Sequence, residues 1–139
     1  MIHATISEHA NAPADDVRAL YENPDNWAFV FAGTVRSARV VRREADAVVV
    51  DVDHVEGHVT NVLRRVSPTE IEVREFKRRY DATFVNGFAP EGSGTRYTLS
   101  ASLRIKWPYA LAQRILKPLV LARMRRHVLE PLKRAAERR

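Results

Sequence analysis

The chain has 139 residues, 45% of them hydrophobic and 29% charged, with a formal net charge of +6; this describes one domain, 1–139, able to bury roughly two-thirds of its unfolded surface around a single core. It has no cysteine, which excludes a disulfide framework, a thiolate nucleophile and a cysteine metal site, and no apolar run approaches the ~20 residues of a membrane span. The opening Met1-Ile2-His3-Ala4-Thr5 carries neither a basic nor an apolar leader region, so a cytoplasmic location is expected.

Residues Ile2 to Ala10 read as a first strand, with Ile2, Ala4 and Ile6 alternating against His3, Thr5 and Ser7. A helix starts at Pro13, with Asp15 and Asp16 in its first turn against the macrodipole. Val17, Leu20 and Tyr21 give it a buried stripe. Asn23-Pro24-Asp25 stops it, and Asn26 to Phe31 reads as a second short helix or turn packed by aromatics. Strands follow at Val35 to Arg43, Ala47 to Val55, His58 to Val66, Ile71 to Arg78, Tyr80 to Phe88 and Arg96 to Lys106, with Pro90 to Gly94 as a loop. The last strand alternates most cleanly: Tyr97, Leu99, Ala101, Leu103 and Ile105 face one way and polar residues the other. From Trp107 to Arg139 the pattern is helical, with Pro118 expected to kink or restart the helix and Pro131 to repeat the effect near the end.

Short turns between successive strands require antiparallel pairing. The expected architecture is α+β: a seven-stranded curved antiparallel sheet, two short N-terminal helices, and one long C-terminal helix over the concave face. A sheet covered by one long helix tends to enclose a cavity, so the first function to consider is holding an apolar small molecule.

Charge is unevenly spread. Residues 104–139 hold 11 Lys/Arg against 2 Asp/Glu, net +9, while residues 1–103 hold 12 against 15, net −3. The plain reading is a solvated helix face; the sharper one is a patch around Arg123, Arg125 and Arg126 for anionic lipid headgroups or an acidic partner. Nucleic acid is not expected, because no zinc, helix-turn-helix or aromatic RNA-binding motif accompanies the charge. The run Leu119-Val120-Leu121 is apolar nearly all round. It is either buried against sheet and short helices or left for a dimer contact or a lipid-facing mouth, so monomer and homodimer both stay open.

The segment Ala10-Asn11-Ala12-Pro13-Ala14-Asp15-Asp16-Val17, then Asn23-Pro24-Asp25-Asn26-Trp27, resembles the opening of the START-like superfamily, in its polyketide cyclase/dehydrase and lipid-transport branch. Val128-Leu129-Glu130-Pro131-Leu132-Lys133 is similar to that family's final helix, and the element order matches along essentially the whole chain. Arg18 stands where the family often has a tryptophan. The resemblance implies a helix-grip fold with a hydrophobic cavity between sheet and final helix, and a lipid, sterol, polyketide or quinone as ligand. It also implies cavity-lining arginines in the aromatase/cyclases; Arg64 and Arg65 lie in a strand here but in no recognisable motif.

His54, Glu56 and His58 surround Gly57. Two histidines four apart suit a metal on a helix, but a hairpin turn separates these, so no metal site and no cofactor are expected. If His54 continues the Val48-Val50-Val52 face it points into the cavity, as a ligand-sensing group or a satisfied core histidine. Alternation from Ile71 and Val73 carries Glu75 and Lys77 inward, whereas the opposite phase buries Phe76. Asn86 and Tyr97 lie within apolar faces, each able to orient a ligand in an oily pocket; alternatively the Tyr97 hydroxyl reaches solvent at the sheet rim. With Phe84 and Leu99 from the strands and Ile115 and Leu119 from the helix, these make up the expected ligand-binding set. The function expected is binding of a hydrophobic small molecule or lipid. The alternatives are a polyketide cyclase/dehydrase using Glu75, His54 or Tyr97 as acid/base, and a module that docks its basic helix on a membrane or protein.

Overall fold

The computed structural model describes residues 1–77, 79–106 and 113–138, with side chains from residue 116 onward in the last span. Strands β1 (Ile2–Ala10), β2 (Val35–Arg43), β3 (Val48–His54), β4 (Gly57–Ser67), β5 (Glu70–Phe76), β6 (Tyr80–Glu91) and β7 (Gly94–Ile105) form one antiparallel sheet. Its order is β1-β7-β6-β5-β4-β3-β2. Six strands thus run as a meander, and β1 joins the free edge of β7. Between β1 and β2 come α1 (Ala14–Glu22), a 3-10 turn at Pro24–Asn26 and α2 (Trp27–Val30). After β7 come α3 (Gln113–Met124), a π-helical turn at Arg125–Leu129 and α4 (Glu130–Glu137), which together make the C-terminal helix.

Alternation decides which face is covered. Ile2, Ala4 and Ile6 stand opposite Leu103, Ala101 and Leu99 across the β1–β7 ladder, and all six are buried. Val50 and Val52 from β3, Leu63 from β4 and Ile71 and Val73 from β5 continue the same core. Met124, Leu129, Leu132, Ala135 and Ala136 of the C-terminal helix close over it, joined by Val17, Leu20 and Tyr21 of α1. The outer edge, β2, carries Arg36, Arg39, Arg42 and Arg43 and two register breaks, devices that discourage pairing with another sheet.

Three expectations change. The Pro90–Gly94 loop shrinks to a tight turn at Gly92-Ser93, with Gly92 at φ 61°. Pro90 is tolerated in β6 because the β5 ladder ends at the Glu70–Gly87 pair, so its missing N–H removes no bond on that side. The second change is in the C-terminal helix, which continues through Pro118; the irregularity expected at Pro131 is present, as a widened turn just before it. There the Glu130 N–H donates to the Arg125 carbonyl, a wider loop than the α repeat. That bulge accommodates Pro131, which lacks an N–H and would crowd the carbonyl four residues back. The third is Leu119, which is 54% exposed, while Val120 and Leu121 pack partly against the core. The helical reading of Trp107 to Ala112 and the end of the strand at Arg78 lie outside the described residues.

The charge asymmetry has a structural use. Glu8 on β1 accepts from Arg125 at 3.0 Å and from Lys133 at 2.9 Å. Glu56, at the β3–β4 turn, accepts from Arg123. Glu137 accepts the Asn11 backbone N–H at 2.8 Å. Glu8 and Glu56 of the body thus fix the basic helix, and the helix's own Glu137 ties its end to Asn11.

Candidate functional site

Two small chambers lie between the sheet and the C-terminal helix. The first, about 100 Å³, is walled by Tyr21, Trp27 and Phe31 from the helical segment, by valines of the sheet, and by Asn61, His54 and Glu75. The second, about 130 Å³, is walled by Tyr80, Phe84, Leu103, Val120, Met124, Lys77 and Arg123. His54, Glu75, His127 and Val128 border both, so the chambers adjoin across a polar seam.

The aromatic wall follows from the early helices. Tyr21 on the buried stripe of α1 stacks against Trp27 at 5.8 Å and Phe31 at 6.0 Å between ring centroids. The Trp27 Nε1–H donates to the Tyr21 carbonyl at 2.7 Å, so the indole packs with its polar atom satisfied. Below that wall Phe88 meets Tyr97 edge-on at 5.2 Å.

Glu75 and Lys77 both face the interior and Phe76 is 57% exposed, which settles the phase of β5. Lys77 Nζ lies 3.5 Å from Glu75 and donates to the Tyr80 hydroxyl at 3.1 Å. Burial works against the ammonium charge, but Glu75 and Tyr80 outweigh it and its pKa is raised. His54 does continue the valine face. Its Nδ1 accepts the Glu56 backbone N–H at 3.1 Å, which leaves the proton on Nε2. Burial first, then the Lys77 charge, pushes the His54 pKa down, with Glu75 opposing and Arg123 and His127 adding to the fall. His127 is lowered too, by burial and then by Arg123 and Arg126.

Both imidazoles are therefore held neutral where an unfolded chain, with an ordinary histidine value of 6.5, already takes up protons. A depressed pKa contributes stability that is full above 6.5 and lost as pH falls below it. Thermal denaturation between pH 5 and 8 should show that decline, and His54→Gln should flatten it. An unchanged slope in the variant would reject this account.

The structure divides the expected ligand-binding set. His54, Glu75 and Phe84 come together on the chamber walls. Asn86, Tyr97 and Leu99 sit deeper, in the core, and border neither chamber. The Tyr97 hydroxyl does not reach solvent; it donates to Asn86 Oδ1, and Asn86 Nδ2 donates to the Ile71 carbonyl at 3.3 Å. Burial raises the Tyr97 pKa well above its ordinary value, so this hydroxyl is a structural group. Leu119 borders neither chamber, and the Ile115 side chain lies outside the described residues. His58 is exposed beside Asp51, away from His54. Arg64 pairs with Glu72 and Arg65 with Glu22, away from the chambers. The arginine on a chamber wall is Arg123, from the surface patch; Arg125 is held by Glu8, and Arg126 borders an open groove with Arg134, Arg138 and the exposed Phe29. Asn61, Tyr80 and His127 are additions. Asn61 had a signal, a polar residue alternating with Val59 and Leu63 on an inward face.

Comparison with known proteins adds the following. The family model described as polyketide cyclase / dehydrase and lipid transport matches residues 1–137. No curated protein matches the sequence directly. Among solved structures, a protein from Thermus thermophilus is similar with TM-score 0.78 and 16% identity over 97% of each chain. The Zhui aromatase/cyclase from Streptomyces sp. R1128 is similar with TM-score 0.77 and 16% identity over 99% of this chain and 94% of that one. A START superfamily protein from Mycobacterium smegmatis gives TM-score 0.72 and 10% identity over 98% and 97%. At such identities the likeness is one of fold, the helix-grip arrangement of sheet and long terminal helix. No helix among the described residues is long and apolar enough to cross a membrane.

Proposed function

The chain belongs to the polyketide cyclase/dehydrase and lipid-transport family, and from that premise we propose that it binds a hydrophobic small molecule between its sheet and its C-terminal helix. Family and fold support either ligand binding or polyketide cyclase/aromatase chemistry. The observation that favours binding is the pair of adjoining chambers, the first walled mainly by Tyr21, Trp27, Phe31 and sheet valines, with His54, Asn61, Glu75, Lys77 and Arg123 among the polar side chains on the walls of the two. Apolar burial at about 25 cal/mol per Å² drives association, and the seam sets orientation.

Size limits the ligand. A cavity of roughly 150 Å³ accommodates benzene; chambers of about 100 and 130 Å³ each fall short of that but together exceed it, so a single ring with a short substituent fits if it reaches across the seam. A fused multi-ring molecule requires the seam to open by outward movement of the helix at Val128. The test is native mass spectrometry of protein purified from its own host. A co-purifying small molecule is expected, and Val128→Phe, which fills the junction, should lower its occupancy at least tenfold. Protein that carries nothing, or a variant that carries as much, would sink the proposal.

Catalysis is the second reading, favoured by the carboxylate of Glu75 beside the neutral imidazole of His54 in the same seam. A cyclase or dehydrase should lose turnover in Glu75→Gln and His54→Gln while keeping affinity. A binder shows no turnover to lose.

A further inference from the structure

Most polar groups on the first chamber's wall already have a partner. The Trp27 Nε1–H is bound to the Tyr21 carbonyl and the Thr34 hydroxyl to the Phe31 carbonyl at 3.4 Å. His54 Nδ1 is bound to the Glu56 N–H, and Glu75 is paired with Lys77. Asn61 is different. It is 6% exposed, it lines the chamber, and its Oδ1 is shielded from solvent with no hydrogen-bond partner among the described residues. Asn61 stands directly across the β4–β5 ladder from Glu75, at the polar edge of an otherwise aromatic and aliphatic space.

A buried amide oxygen left without a donor is destabilising, and native proteins retain few of them. Leucine, close to asparagine in size, would fill the same inward position between Val59 and Leu63 without that penalty. We propose that the ligand carries a hydroxyl, phenolic or alcoholic, that donates to Asn61 Oδ1 once the amide turns that atom toward the chamber, while its ring packs on Tyr21, Trp27 and Phe31. This rests on the ligand-binding reading above and adds to it the chemical class of the ligand.

The inference makes a prediction of sign. Hydrocarbon surface alone would favour benzene over phenol, because phenol gives up more hydration on entering an apolar space. A site built around an unmet acceptor reverses that order, since the analogue without the hydroxyl leaves the acceptor orphaned. Ligand-observed NMR titrations of the full chain with phenol and with benzene read the ratio. Phenol should bind about fivefold tighter or better, the factor expected of one net hydrogen bond. In Asn61→Leu the order should invert, while the denaturation midpoint rises by a few degrees because a buried orphan has been removed. That gain separates a binding role from a structural one, in which the variant would unfold earlier. Benzene binding as well as phenol to the unaltered chain, or a phenol preference that survives Asn61→Leu, overturns the hydroxyl inference and leaves the pocket standing. If neither probe binds, the pocket reading falls and takes this inference with it.

Discussion

Phe88→Ala should lower stability by about 4 kcal/mol, the largest loss expected of a single substitution in this protein. Phe88 is 1% exposed and holds the base of the aromatic group together, edge-on to Tyr97 at 5.2 Å and tilted against Tyr21 at 6.3 Å between centroids. Truncation loses the transfer energy of the ring and leaves a void beside Tyr21 and Tyr97, the latter held in place by its hydroxyl. Backbone pairing with β7 prevents collapse into that void. For a domain of this length, total stability is on the order of 7–20 kcal/mol, so the variant should remain folded but melt some 10 °C lower. Urea unfolding should give a reduced midpoint with an unchanged slope. A loss below about 1 kcal/mol would mean that the core repacks, and the rigidity assigned to the cavity base would be wrong.

Asn86→Leu should cost on the order of 3 kcal/mol, through unmet hydrogen bonds rather than lost volume. Asn86 is fully buried; its Oδ1 accepts from the Tyr97 hydroxyl, and its Nδ2 donates to the Ile71 carbonyl at 3.3 Å. Leucine leaves the Tyr97 hydroxyl and the Ile71 carbonyl without that partner in a tightly packed space. Tyr97→Phe in the same background should restore part of the loss, because it removes one orphan. Comparison of the single and double variants by denaturation measures that coupling. Additive losses would show that the two groups do not act together. The two buried asparagines thus have opposite expected signs. Asn86 is satisfied and its removal harms the fold; Asn61 is unsatisfied and its removal strengthens it.

Strand alternation made most of this interior legible from sequence. Val48-Val50-Val52 predicts that His54 faces inward, and Tyr80-Ala82-Phe84-Asn86-Phe88 predicts one face of β6, as found. Alternation cannot report depth, however. Asn86, Tyr97 and Phe84 share a face of the sheet, but only Phe84 reaches a chamber, because the C-terminal helix and the aromatic group of α1 and α2 fill the rest. Nor does local sequence disclose which helix side chains meet the sheet. Arg123 reads as a solvent-facing cation and is exposed, but it also pairs with Glu56 beside the second chamber. Of the two helix irregularities expected, only the one at Pro131 is found, for a similar reason: two prolines look alike in sequence, and the widened turn forms before only one of them.

The pairing of β1 with β7 bears on how the protein is made. Ile2 finds its partner in Leu103, about a hundred residues later, and the helix that covers them is synthesised later still. The amino-terminal strand therefore leaves the ribosome long before its neighbour exists, with Ile2, Ala4 and Ile6 exposed in the nascent chain. Loop closure on that scale places this domain among slow folders dominated by distant contacts, and truncated products should collect as aggregates rather than as partly folded domains. Emergence of the C-terminal helix, more than passage of any earlier segment, is the event that lets the cavity form.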